Sequence, residues 1–309
     1  MVWGKFTIIY TLAFLQRRCF LNYYGLIRLS SAANVSFTVS ITVFYFSCQR
    51  LFSKILCLFT NKSDRKILFQ AHLPDCSRRT LTRSLTIMHV KEEIIGILKQ
   101  FDIGGKFSYL PVLPRASVLI PLFVRSGRLY TLMTLRSKEL RTSAGEVCFP
   151  GGKRDPSDHD DVDTALREAE EEIGLSPDDV QVVCTLFPII NKTGLLVTPV
   201  VGFIEESFCP SPNPAEVSAV FTVPLDFFTS KEDHHSTYGV VGMSGLLHSF
   251  YFVDTDSGSQ YHIWGLTALL AILVAVLALK KKPEFEVGFD SEDPIAFFQQ
   301  ILHRRISKL

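Results

Sequence analysis

The segment 151–175 constrains the fold more than any other part of the chain, because it contains the one strongly signalled helix. It reads GGKRDPSDHDDVDTALREAEEEIGL. The spacing predicts a helix over 163–173, with acidic residues at its start and Gly174 as its stop. One side of this helix is apolar, which predicts that it docks on a sheet. The apolar residues are Ala165, Leu166, Ala169 and Ile173.

Three glutamates of this helix share one face. Glu168, Glu171 and Glu172 fall at i, i+3 and i+4, so they project a turn apart. Carboxylates that converge beside the Gly151–Gly152 turn would suit a hard divalent cation, Mg²⁺ or Mn²⁺. The spacing alone leaves a second interpretation open, namely a solvated acidic face.

The flanking segments read as strands with few helices. Alternating and continuous apolar runs predict a hairpin of 115–125 with 128–137, and helical spacing marks 90–101. This mixture predicts an α/β sandwich around a mixed sheet. Further strands are predicted over 182–190, 196–206, 221–228, 248–253 and 261–265.

The apolar run 263–279 has two interpretations. It precedes three lysines and resembles a membrane span, but a bilayer core needs about 20 apolar residues. Its alanines and leucines favour helix. A buried core helix starting near Thr267 is therefore predicted, and membrane association is not favoured.

The first 87 residues differ in charge from the remainder. They hold 12 Lys and Arg but only Asp64 and Asp75 as acids. A signal-peptide core at 6–15, a mitochondrial presequence and a marginal span at 33–49 are alternatives here. The favoured interpretation is a basic extension that is not a folded domain, with Met88 as an alternative start. The remainder holds 20 basic and 29 acidic residues, which argues against a nucleic-acid partner.

Seven cysteines are scattered along the chain without a CxxC pair. An odd number without paired spacing argues against a disulfide framework or a zinc site, and it favours a reducing compartment.

The tail 283–309 is acidic at first and ends in Ser307, Lys308 and Leu309. A C-terminal Ser-Lys-Leu is an address read by the peroxisomal import receptor. The sequence therefore predicts that receptor as a partner and the peroxisomal matrix as the location.

The central segment also resembles a known family. The Nudix box runs G-x5-E-x7-R-E-U-x-E-E-x-G-U, where U is bulky and aliphatic, and this chain supplies Arg167-Glu168, Glu171-Glu172 and Gly174-Leu175. The chain departs from the pattern at one place. Arg167 follows Gly152 one residue later than usual, and His159 stands where the box has its first Glu. Asp158 and Asp160 are the candidates for steadying this loop.

Upstream, 135–152 is similar to the additional pattern that marks coenzyme A diphosphatases among Nudix proteins. The matching residues are Arg136, Ser137, Leu140, Arg141, Gly145, Val147 and the run Phe149, Pro150, Gly151 and Gly152. The resemblance covers about 88–309, with the catalytic domain predicted over 88–282. It implies coenzyme A or its acyl esters as substrate, with 3′,5′-ADP and 4′-phosphopantetheine or its acyl form as products.

The resemblance also implies a Nudix α/β/α sandwich and a set of roles. Mg²⁺ or Mn²⁺ would be held by Glu168, Glu171 and Glu172, and Glu171 or Glu172 would accept a proton from water. Arg167 would hold the carboxylates. Arg136, Arg141, Gly151 and Gly152 would bind substrate, and Glu216 would add a metal ligand, in competition with Glu205 and Glu206. The alternatives are a Nudix diphosphatase for another nucleotide such as NADH, and a membrane-anchored protein without catalytic activity.

Overall fold

The computed structural model describes most of the chain from residue 88 onward and parts of the first 43 residues. The described ranges are 88–104, 113–191, 193–232, 234–239 and 246–307, with the backbone alone of 7–13, 22–32 and 36–43. The chain divides into two compact units, Met1–Ser84 and Leu85–Leu309.

The first unit contains three antiparallel strands in the order β1–β2–β3. They are β1 (Thr7–Ala13), β2 (Asn22–Ala32) and β3 (Ser36–Val43). The proposed signal core 6–15 and span 33–49 fall partly on these strands and partly outside the described residues. The interpretation of 1–87 as a basic extension that is not a folded domain stays a prediction.

The second unit is built on a mixed sheet with the strand order β11–β5–β4–β10–β8. Strands β4 and β10 run parallel and the other pairs are antiparallel. Three short strands extend it, since β6 pairs with β5, β7 with β4 and β9 with β10. The strands are β4 (Arg115–Arg125), β5 (Arg128–Arg136), β6 (Val147–Cys148), β7 (Gly151–Lys153), β8 (Gln181–Thr185), β9 (Ile189–Ile190), β10 (Leu196–Phe203) and β11 (Val217–Pro224).

Both faces of the sheet are covered. Helix α1 (88–98) precedes the sheet, and helix α2 (Asp161–Ile173) follows β7. On β4, Leu119 and Phe123 pack in the cluster that contains α2. Ile120 and Leu122 point the other way, into the cluster that contains α1. Because successive side chains of a strand alternate between faces, one buried strand serves both layers. The fold is therefore the predicted α/β/α sandwich.

A second, smaller sheet covers the side opposite α2. Its strands are β12 (His235–Gly239), β13 (Leu246–Val253) and β14 (Gln260–Trp264), all antiparallel. Helix α3 (Gly265–Leu279) follows without a loop and packs against β13, β14 and the 3₁₀ turn Leu225–Thr229.

Helix α3 settles the interpretation of 263–279. Ten of its fifteen residues are buried within the unit, which confirms the core helix. It begins two residues before the predicted Thr267, whose hydroxyl donates to the carbonyl of Val147 at 3.1 Å. Within the part of the chain that the structure describes, no helix is both long and apolar enough to cross a bilayer.

Two predicted strands were wrong in detail. The run 182–190 forms β8 and β9, because Leu186 and Phe187 turn into the core between them. The run 221–228 ends as a strand at Pro224, and a 3₁₀ turn follows.

We expect a chain that starts at Met88 to be soluble and as active per mole as the full chain. All the site residues described below lie in the unit Leu85–Leu309. Purification of both chains and comparison of their turnover would test this. Insolubility or loss of activity in the shorter chain would show that residues 1–87 are structural.

Candidate active site

Helix α2 carries the predicted carboxylates, and its ends are defined by local bonds. The side chain of Asp160 accepts from the backbone N–H groups of Val162 and Asp163, which is an N-cap. Gly174 adopts a left-handed conformation with φ 70° and closes the helix. The helix therefore begins two residues before the predicted 163, and its register is fixed at both ends.

Glu172 lies at the centre of the site and is almost completely buried. Only 2% of its surface is exposed. One carboxylate oxygen accepts from the backbone N–H of Gly151 at 3.2 Å, and the other lies 3.7 Å from the guanidinium of Arg136. Burial raises the pKa of Glu172 to about 7, against the lowering effects of the Gly151 bond and Arg136. The sequence predicted a face of three similar glutamates, but Glu172 differs because it points into the sheet.

Arg167 ties the helix to the loop before it. Its guanidinium donates to both carboxylate oxygens of Asp158, at 2.9 and 3.1 Å. The same group pairs with Glu168 at 3.1 Å and with Glu171 at 3.0 Å. These hydrogen bonds to Arg167 hold the pKa of Asp158 well below its usual range. Arg167 thus contacts Asp158 and two of the three glutamates, and its catalytic role stays a prediction.

Asp158 is the residue that steadies the loop where the chain departs from the box. Its side chain is only 4% exposed. Beyond Arg167, it accepts from the backbone N–H of Asp155 at 2.8 Å and the hydroxyl of Thr164 at 2.9 Å. His159, at the aligned position, has a side chain that is 91% exposed and contacts Asp163. The extra residue in the loop therefore moves the supporting carboxylate one position earlier.

Glycines 151 and 152 lie in close contact with their neighbours, and at Gly151 those neighbours include backbone. A Cβ on Gly152 would overlap the carboxylate of Glu168, and a Cβ on Gly151 would overlap the carbonyl oxygen of Ser117. Gly151 also has φ 154°, where side chains are rarely tolerated. The turn thus brings backbone against the carboxylate face.

Arg136 ends β5 beside Glu172 and Cys148. Its Nε is buried without a hydrogen-bond partner among the described residues, and its guanidinium lies near the Cys148 thiol, whose pKa is raised by burial. The predicted substrate role of Arg136 is compatible with its place.

The loop 211–216 adds Glu216 to the site. Asn213 donates its backbone N–H to the carbonyl of Glu172, and Ser211 donates to that of Ile173. The negative charge of Glu216 contributes to the raised pKa values of both Glu168 and Glu172. The sequence predicts Glu216 at the site but does not predict that Asn213 anchors this loop to helix α2. The Asn-Pro turn signal at 213–214 is the pattern that could have indicated it.

The competing acids lie elsewhere. Glu205 pairs with Lys91 at 3.8 Å, and Glu206 pairs with Arg125 at 3.3 Å. Arg141 is exposed, and no hydrogen bond or ion pair holds it to the described residues. Ser307 ends the last helix, α4 (Pro294–Ile306), whereas Lys308 and Leu309 lie outside the described residues.

The carboxylate oxygens of this site are the type of donor that a hard divalent cation prefers. Burial is the main cause that raises the pKa of Glu168, and the charges of Glu171 and Glu216 add to it. Converging carboxylates with such mutual repulsion gain from a cation with oxygen preference. In the described residues, no three such side chains already surround a common point, and Arg167 pairs with Glu168 and Glu171. The four-glutamate ligand set stays a prediction.

Comparison with known proteins gives the site its context. The chain is 45% identical over 201 residues to the peroxisomal coenzyme A diphosphatase NUDT7 of Mus musculus, covering 64% of this chain and 84% of that protein. The NUDIX domain model matches residues 113–238. The chain belongs to the Nudix family.

The matches to other Nudix relatives cover a smaller share of those proteins. Nudix hydrolase 15, mitochondrial, of Arabidopsis thaliana is 45% identical over 55% of this chain and 61% of that protein. Nudix hydrolase 22, chloroplastic, of the same plant is 43% identical over 59% of this chain and 62% of that protein. The chain is thus a Nudix hydrolase, and relatives of similar identity carry different organelle names.

Proposed function

We propose that this Nudix hydrolase cleaves the diphosphate of coenzyme A and its esters, yielding 3′,5′-ADP and 4′-phosphopantetheine or its acyl form. One observation carries the proposal: the segment 136–152, which bears the coenzyme A pattern, is part of the carboxylate site. Arg136 pairs with Glu172, and Gly151 donates to the same carboxylate. The named activity of the mouse relative supports the same substrate.

The segment between these contacts is a closed loop. Arg136 donates its backbone N–H to Glu146, and Gly145 donates back to Arg136. Ser137 donates to the carbonyl of Glu216, which joins the loop to the other side of the site. Arg141 extends from this loop into solvent, where its guanidinium would meet a substrate phosphate.

The reaction follows from the side chains present. Water attacks one phosphorus in line, and the bond to the bridging oxygen breaks as the new P–O bond forms. Glu171 or Glu172 accepts the proton of that water. Arg167 fixes the helix face against the loop, and the turn at Gly151 and Gly152 borders the carboxylates that would act on the diphosphate.

A divalent cation completes this proposal. The cation would be held by four glutamates, Glu168, Glu171, Glu172 and Glu216. When bound, Mg²⁺ or Mn²⁺ neutralises charge on the diphosphate and makes a water more acidic.

The test is turnover of the purified full chain on coenzyme A and on NADH with Mn²⁺. We expect hydrolysis of coenzyme A to exceed that of NADH at least about tenfold, to stop with EDTA, and to return when Mn²⁺ or Mg²⁺ is added. Faster hydrolysis of NADH would transfer the assignment to the alternative nucleotide class. Hydrolysis that is unaffected by chelation would contradict the carboxylate site.

We also propose that the enzyme works in the peroxisomal matrix, addressed by Ser307, Lys308 and Leu309. The name of the mouse relative supports this location. A fluorescent protein fused ahead of residue 1 or of Met88 is expected to reach peroxisomes only when the three residues are present. Peroxisomal signal that survives their removal would contradict the proposal, as would mitochondrial import of untagged 1–309.

A further inference from the structure

The small sheet β12–β13–β14 carries most of the exposed large hydrophobic side chains among the described residues. Among the described residues, five large hydrophobic side chains are exposed, and four of them lie on this sheet. These four are Tyr238, Tyr251, Val253 and Trp264, with exposures of 38–55%. A cluster of exposed apolar groups on one face indicates a binding surface.

Three flat rings on this face form a parallel stack. Tyr251 and His262 are cross-strand neighbours, with centroids 4.6 Å apart and planes 8° apart. His262 and Trp264 follow at 6.0 Å and 10°. The hydroxyl of Ser249 hydrogen-bonds to His262 at 2.7 Å and fixes that ring in place. We call Tyr251, His262 and Trp264 the ring stack.

The face around the ring stack is uncharged. Its other members, by strand alternation, are Ser236, Tyr238, Leu247, Ser249, Val253 and Gln260. Burial lowers the pKa of His262. Such a face offers nothing to a phosphate backbone or a charged lipid surface, but it suits a flat heteroaromatic ring.

The Trp264 end of the ring stack lies near β6, the short strand that leads into the turn at Gly151. Strand β14 packs beside β6, and Thr267, three residues beyond Trp264, donates to the carbonyl of Val147. From Cys148 to Gly151 the chain covers three residues, at most about 10 Å when extended.

We propose that Trp264 stacks the purine base of the substrate, as the fourth flat ring of the ring stack. This inference rests on the proposed function, because it takes the adenine of coenzyme A as the occupant. The diphosphate then lies at the Gly151 turn, and the pantetheine half leads away from the small sheet.

Trp264 provides its own reporter. The chain has only two tryptophans, Trp3 and Trp264, so the full-length Trp3→Phe variant reports on Trp264 alone. We expect 3′,5′-ADP to quench its fluorescence and 4′-phosphopantetheine to leave it unchanged. Coenzyme A hydrolysis is measured in the same preparation. Quenching without hydrolysis would support base stacking on Trp264 and contradict the proposed function. Hydrolysis without quenching would support the proposed function and contradict base stacking on Trp264.

Substitutions give an independent test. Trp264→Leu is expected to raise the KM for coenzyme A about tenfold, equivalent to about 1.4 kcal/mol, with a much smaller effect on kcat. Trp264→Phe keeps a ring and should stay within about threefold of the parent KM. Tyr238→Leu is the matched control, because it removes an exposed aromatic outside the ring stack. An unchanged KM in Trp264→Leu would overturn the proposal. If the variant kept its KM but changed from a dimer to a monomer, the surface would bind a second copy of the chain and not the purine base.

Discussion

Glu172→Gln is expected to lower turnover by about a thousandfold or more while leaving the fold intact. The substitution keeps the shape of the side chain and an oxygen that can accept from Gly151 at the present position. It removes a negative charge that is almost fully buried, so the free energy of unfolding should not fall. The loss would therefore fall on chemistry and cation binding alone.

The measurement is turnover at saturating Mn²⁺ together with the thermal unfolding midpoint. Glu170→Gln provides a matched control, because Glu170 is exposed on another side of the same helix and should keep full activity. Near-wild-type turnover of Glu172→Gln at saturating metal would show that the carboxylate face was assigned wrongly.

Asp158→Ala is expected to lower the free energy of unfolding by about 2–3 kcal/mol. Removing one partner of a fully buried ion pair costs roughly 3–5 kcal/mol. Here the Arg167 side chain keeps 27% exposure, so water compensates part of the loss. The variant also leaves the backbone N–H of Asp155 and the hydroxyl of Thr164 without this acceptor. Turnover should fall about tenfold or more, because Arg167 no longer fixes the helix against the loop.

Urea unfolding of Asp158→Ala would measure this loss, with Asp178→Ala as the control. Asp178 is exposed in a 3₁₀ turn, so its removal should change stability by less than about 0.5 kcal/mol. If Asp158→Ala changed the free energy of unfolding by less than about 0.5 kcal/mol, another group would have to support Arg167.

The carboxylate face was predictable from the sequence because it depends on helical periodicity. Residues at i, i+3 and i+4 share a face whatever the surrounding fold does. The unequal burial of Glu171 and Glu172 was not predictable, since it depends on where the Gly151 turn meets the helix. Helix α2 starts earlier than predicted for a local reason, namely that Asp160 caps it.

Other features depend on contacts between distant parts of the chain. The sequence offered Asp158 and Asp160 as alternatives for the irregular loop, and only the bonds of Arg167 separate them. The ring stack was missed for the same kind of reason. Tyr251 and His262 meet across two strands whose register no local pattern specifies.

The place of helix α3 in the chain matters for how the protein is made. An apolar helix of fifteen residues is at risk of aggregation whenever it stands uncovered. The elements that cover it, the 3₁₀ turn Leu225–Thr229 with β13 and β14, all precede it in sequence. They have therefore left the ribosome before the helix does, and its docking surface is already synthesised when its last residue emerges.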